Sequence, residues 1–144
     1  MNPVLLTLAL LLAVPCLQGQ ASEVDALIQE VAGVDPKEAK AFFLGIKTEA
    51  AALDRLALVK RVAFPLTVDL KARRNVKLRN PAQLLKHFDE VFTPKVLGAI
   101  HGQAYEDLFV NYQGIMIGSG EVWFTGLKGP SGNFDQLRII TINN

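Results

Sequence analysis

The sequence has a single cysteine, Cys16, and it lies inside an apolar leading run. Beyond Ala21 there is none, so the 123 residues that follow can close no disulfide and must stand on a hydrophobic core. A chain of that length is an ordinary single domain and can bury enough apolar surface without covalent staples. Charge of one sign is missing as well. The 15 Lys and Arg oppose 14 Asp and Glu for a net of +1, which removes the electrostatic footprint of a nucleic-acid binder. Histidine is scarce: His87 and His101 stand fourteen residues apart, with no cysteine and no carboxylate pair at helical spacing, so neither a metal nor a cofactor is expected. Repeats, low-complexity runs and interdomain linkers are also lacking, and no apolar run is long enough to anchor stably in a bilayer.

What is present starts with Val4 to Val14, an almost wholly apolar run ending in the polar, small-residue stretch Gln18-Gly19-Gln20-Ala21. This reads as a secretory signal peptide over residues 1–21, cleaved before Ser22, although Met1-Asn2-Pro3 carries no Lys or Arg. The expected location is periplasmic or secreted, with no integral membrane segment in the mature chain. Cys16 raises a lipoprotein reading, but Pro15 puts a bulky ring beside the bond that such processing would cut, which disfavours it.

The remainder, 22–144, reads as one α+β domain, with N-terminal helices packed on a curved antiparallel sheet. Val24, Leu27, Ile28 and Val31 form a helical stripe ended by Gly33. Asp35-Pro36-Lys37-Glu38 is a second helix start, with Asp35 as N-cap, Pro36 in the first turn and Glu38 closing a capping box. Gly45 and Thr48 are expected to break that helix, after which Ala50, Leu53, Leu56 and Ala57 resume its stripe to about Val62. From Phe64 the period drops to two, and Phe64, Leu66, Val68 and Leu70 pair through a turn with Val76 and Leu78 as a hairpin. Asn80-Pro81 and Thr93-Pro94 start two more helices, the first carrying Leu84, Leu85, Phe88, Val91 and Phe92. Four candidate strands follow: 108–110, 114–117, 121–127 and 137–142. Gly118-Ser119-Gly120 is the tight turn between the middle pair.

This order of elements, with the stretch Tyr105 to Phe124, resembles the nuclear-transport-factor-2-like superfamily, a cone of curved sheet around a long helix, and in particular small secreted bacterial proteins of no assigned function. The resemblance implies a cone-like roll, and little about function, because the superfamily holds polyketide-cyclase-like and isomerase-like enzymes, ligand-binding modules and dimerisation subunits. An enzyme on such a scaffold would carry an acid or base in the apolar mouth of the cone. Candidates by position are His87, Asp89, His101, Tyr105, Asp107, Tyr112 and Glu121, and none forms a recognisable pair, so no catalytic residue is assigned. His87 and Asp89 fall on opposite edges of a helix stripe with Glu90 on its far side, and His101-Gly102 fits a helix C-terminus. Lys71, Arg73, Arg74, Lys77 and Arg79 put five cations in nine residues, and a solvated hairpin face is the preferred account of them.

The last strands carry apolar residues on both faces of the alternation. Ile115, Ile117, Val122, Phe124, Leu137 and Ile139 line one side, while Met116, Trp123, Ile140 and Ile142 fall on the other. Helices of one small domain can cover only one side, so the second, together with Tyr112, is the candidate face for a second copy of the chain, a protein partner or a small apolar ligand. The expected function is that of an exported, non-enzymatic binding or interaction protein. A polyketide-cyclase-like or isomerase-like enzyme is the alternative, and requires Asp89, Asp107, Tyr112 or Glu121 to be buried beside an open apolar cavity. An envelope inhibitor or immunity protein is a further alternative.

Overall fold

Helix starts are the best-encoded features of the chain, because each cap is a local hydrogen bond. In the computed structural model, which describes residues 22–132 and 134–144, α1 spans Glu23–Glu30 behind a Ser22–Asp25 capping box. Helix α2 spans Pro36–Ala51, and the Asp35 carboxylate accepts from the backbone N–H of Lys37 and Glu38. Each such cap is worth about 1 kcal/mol. Asn80 and Thr93 cap α4 (Pro81–Lys86) and α6 (Pro94–Gly102) in the same way, each followed by a proline whose missing N–H costs nothing there. The expected signal peptide and Cys16 lie outside the described residues.

Two helical expectations are corrected. Helix α2 runs unbroken through Gly45 and Thr48, and Thr48 Oγ1 donates back to Leu44 O at 3.0 Å. Gly45 makes room: a Cβ there would lie 2.2 Å from the Arg61 guanidinium, which rests over the helix and forks onto Glu49 with two 2.6 Å bonds. The break comes later, at Leu53, whose φ of 50° turns the chain into Asp54, the cap of α3 (Arg55–Lys60). That turn throws Leu53 and Leu56 out of the stripe into solvent and buries Leu58 and Val59 instead. The second correction is at His87, where α4 ends and a separate short turn, α5 (Phe88–Val91), begins. The rotation between them still buries Leu84, Phe88, Val91 and Phe92, the two rings stacked at 4.7 Å.

The strands form two antiparallel sheets and no barrel. Strands β1 (Leu66–Leu70) and β2 (Arg73–Leu78) make the first hairpin, pairing Leu66 with Leu78 and Val68 with Val76. Strands β3 (Phe109–Asn111), β4 (Gly114–Ile117), β5 (Val122–Lys128) and β6 (Phe134–Ile142) form a four-stranded meander in chain order. Gly118 and Gly120 both have positive φ in the β4–β5 turn, as the sequence predicts. The far edge of β6 is partly occupied: Ile139 exchanges backbone bonds of 2.8 Å with Arg61 and Ala63.

Helices α1, α2 and α6 pack on one face of this sheet through a continuous core. Phe42 of α2 meets Phe124 of β5 at 5.3 Å, and Ile115, Ile117, Val122, Phe124 and Ile139 are fully buried beneath the helices. The architecture is α+β in one small domain, as the pattern of helical and alternating segments requires.

Candidate functional site

Pairing register decides what the other face of the meander offers. Phe109 lies opposite Met116, Met116 opposite Trp123, and Trp123 opposite Thr141, so these four side chains form one row across all four strands. The next row, Asn111, Gly114, Thr125 and Arg138, is polar or bare. The first row is therefore an apolar band in a polar surround. Phe109 is 52% exposed, its ring edge-on to Trp123 at 6.3 Å, while Met116, Trp123 and Ile140 are half-buried. A shallow open groove of about 290 Å³ runs beside Trp123, lined by Ile140, Thr141 and Gln113.

Of the five residues expected on this face, Met116, Trp123 and Ile140 are brought together there. Ile142 is not. The register slips between Trp123 and Phe124, which pair with Thr141 and Ile139, leaving Ile140 as the extra residue of a β-bulge. One extra residue inverts every later side chain, so Ile142 sits opposite Val122 in the core and is 2% exposed. Tyr112 stands at the tip of the β3–β4 turn, 84% exposed, where Asn111 Oδ1 accepts from Gln113 N–H at 2.8 Å. Phe109 belongs to the band and was missed. As the first residue of a three-residue strand it offers too little alternation to reveal its face.

The acid and base candidates are held apart. His87 Nδ1 contacts Glu90 Oε1 at 3.1 Å, the i,i+3 spacing that sets two side chains beside each other on one helical turn. Asp89 turns to solvent and pairs with Arg55 at 2.8 Å. His101 is exposed in the last turn of α6, and Asp107 is exposed in the 3-10 turn Tyr105–Asp107. Glu121 holds its own turn: its Oε2 accepts from Ser119 N–H at 2.6 Å, the cause that chiefly lowers its pKa, and Lys95 stands 3.7 Å from its other oxygen. Gln103, which sequence reasoning passed over, ties the same turn to α6 by accepting from Gly118 N–H at 2.8 Å.

Tyr105 alone among them is buried. Its hydroxyl donates to Asp25 Oδ1 at 2.7 Å and lies 3.2 Å from Pro36 O, with Lys40 over its ring. Burial, then the Asp25 carboxylate, push the phenol well above its ordinary ionisation, while the phenol's hydrogen bond holds Asp25 below the usual carboxylate range. A proton held this tightly, against packed side chains, fastens α1 to the start of α2. None of Asp89, Asp107, Tyr112 and Glu121 is buried beside a cavity, and no charged side chain is buried among the described residues. No group of three or more His, Cys, Asp or Glu is placed to hold a metal ion among them, and none of their helices is long and apolar enough to cross a membrane. No family model, no curated protein and no solved structure matches this chain.

Proposed function

We propose that the protein is an exported, non-enzymatic interaction protein that seats a protein surface on the outer face of its four-stranded sheet. The observation that carries this is the uncovered Phe109–Met116–Trp123 band with Ile140 beside it: aromatic and Met side chains in a polar surround, on the face opposite the helices. Interface centres are enriched in these residue types, and two rigid rings present a large apolar area at little cost in side-chain entropy. A small apolar ligand fits less well, because the groove at Trp123 is shallow and open, whereas ligand sites enclose most of what they bind. Export is supported by the Val4 to Val14 run and the small residues before Ser22. The cyclase-like or isomerase-like alternative is less well supported, because among the described residues none of Asp89, Asp107, Tyr112 and Glu121 is buried.

Native mass spectrometry of the protein recovered from cells tests this directly. A complex with a second copy or a defined partner, lost on Trp123→Arg or Phe109→Ser while the circular dichroism spectrum is kept, is expected. A complex indifferent to both substitutions, or a monomer carrying only a small molecule, overturns the reading.

A further inference from the structure

The cations of this chain are used unevenly. Arg55, Arg61 and Lys95 pair with Asp89, Glu49 and Glu121, Lys47 donates to Gln103 O, and Lys40 lies over the Tyr105 ring. Between residues 66 and 87 the balance is different, with six Lys and Arg against the single acid Asp69 in a chain whose net charge is only +1. Three of those cations, Arg73, Lys77 and Lys86, line one groove of about 250 Å³ between β2 and α4, and no ion pair among the described residues engages them.

The remaining lining fits the same chemistry. Gln83 closes one side, and its Oε1 is already taken by Arg79 N–H at 2.7 Å, so what it has left to offer the groove is its amide NH₂, a donor. His87 closes the end, oriented by its Nδ1 contact to Glu90, whose second oxygen accepts from Lys71 N–H at 3.0 Å. No carboxylate lines the groove, and Val76 and Leu78 form an apolar floor. Three cations and an amide donor that meet without an acceptor leave like charges together, a cost that a multiply charged oxyanion removes. A carboxylate has two oxygens and is satisfied by one guanidinium, whereas a phosphate offers three or four and calls for a ring of donors.

We propose that the β2–α4 groove is a phosphate site, binding the phosphomonoester of a lipid headgroup or of a small soluble phosphate ester through Arg73, Lys77, Lys86 and Gln83. It is independent of the apolar band, which is built from other strands and can fail or stand without it.

The test sets two equal charge deletions on the same hairpin against each other in the full-length chain. R73Q/K77Q removes two groove cations, and R74Q/R79Q removes two exposed cations outside it. Inorganic phosphate is titrated while amide resonances of β2 and α4 are followed by NMR, and vesicles of phosphatidic acid or phosphatidylcholine are co-sedimented with each protein. The N-terminal segment is identical throughout, so its own contribution to vesicle binding cancels. R73Q/K77Q is expected to weaken phosphate binding at least roughly tenfold and R74Q/R79Q by less than about twofold. If the groove pair alone also abolishes the preference for phosphatidic acid, the source is a headgroup. Phosphate binding with no such preference assigns a soluble ester. Equal losses in the two variants, or no response to either probe, overturn the proposal.

Discussion

Residues 122 to 124 place three neighbouring side chains on alternate faces of one sheet, and the two faces answer to different constraints. Val122 and Phe124 point under the helices, have no solvent exposure, and meet side chains from elements far apart in the chain, such as Phe42. Trp123 points the other way, and its described aromatic neighbour is Phe109 of the edge strand. Both faces are apolar, yet among the described residues only one is covered. Apolarity that folding does not use is what supports the proposed interaction on that face.

The sharpest way to break this comparison is to truncate adjacent rings. Phe124→Ala should cost about 3–5 kcal/mol in chemical denaturation, the usual penalty for emptying a buried phenylalanine site. Trp123→Ala should cost the isolated chain about 1 kcal/mol, close to the worth of its edge contact with Phe109. If the two lose similar stability, the outer face is part of the folding core and the interaction reading falls.

A second pair sharpens the boundary between the faces. Ile142→Ala should lose about 2–4 kcal/mol, because Ile142 is buried opposite Val122, whereas Ile140→Ala should lose under about 1 kcal/mol and instead weaken any complex held on the outer face. Strict alternation puts both residues on one face and demands similar losses. Denaturation midpoints of the two variants therefore report whether the bulge exists in solution.

These two isoleucines also show what the sequence can and cannot reveal. Local chemistry was legible: Asp35-Pro36, Asn80-Pro81 and Thr93-Pro94 each place a cap and its helix within four residues, and Gly118 and Gly120 mark their turn by the positive φ it needs. Met116 and Trp123 fall on the outer side of the sheet, as strict alternation places them, because no irregularity lies between them and the turn. The bulge at Ile140 has no residue signature, since isoleucine is at home in any strand position, and an error of one residue there misplaces Ile142. Leu53 hid its turn for a related reason: a branched side chain at φ 50° is a conformation that sequence rules assign to glycine or asparagine. Gly45 read as a breaker because its reason for being small, Arg61, arrives from another helix.

Tyr105 separates the covered side of the molecule from the open one by pH rather than by truncation. Its hydroxyl reaches Asp25 across 80 residues of sequence, a tie that no local pattern announces. Tyr105→Phe keeps the ring against Phe43 and removes the hydrogen bond, so the loss should be about 1–2 kcal/mol at neutral pH. The sign of its pH dependence follows from the raised phenol. The unfolded chain releases this proton at about pH 10 and the folded chain only above that, so the tyrosine's contribution is complete below about pH 10 and fades as pH rises beyond it. Asp25 mirrors it on the acid side, with a lowered carboxyl whose contribution is present above about pH 4 and lost as pH falls through its folded pKa. Stability of the parent should thus decline at both extremes, and Tyr105→Phe should flatten both limbs, because removing the phenol takes away the largest cause of the Asp25 shift as well. Trp123→Ala should leave both limbs unchanged, since none of the groups that move these two protons lies on the outer face. A Trp123 variant that altered either limb would show that the two faces are coupled through the sheet, and the division between a covered face and an open one would have to be redrawn.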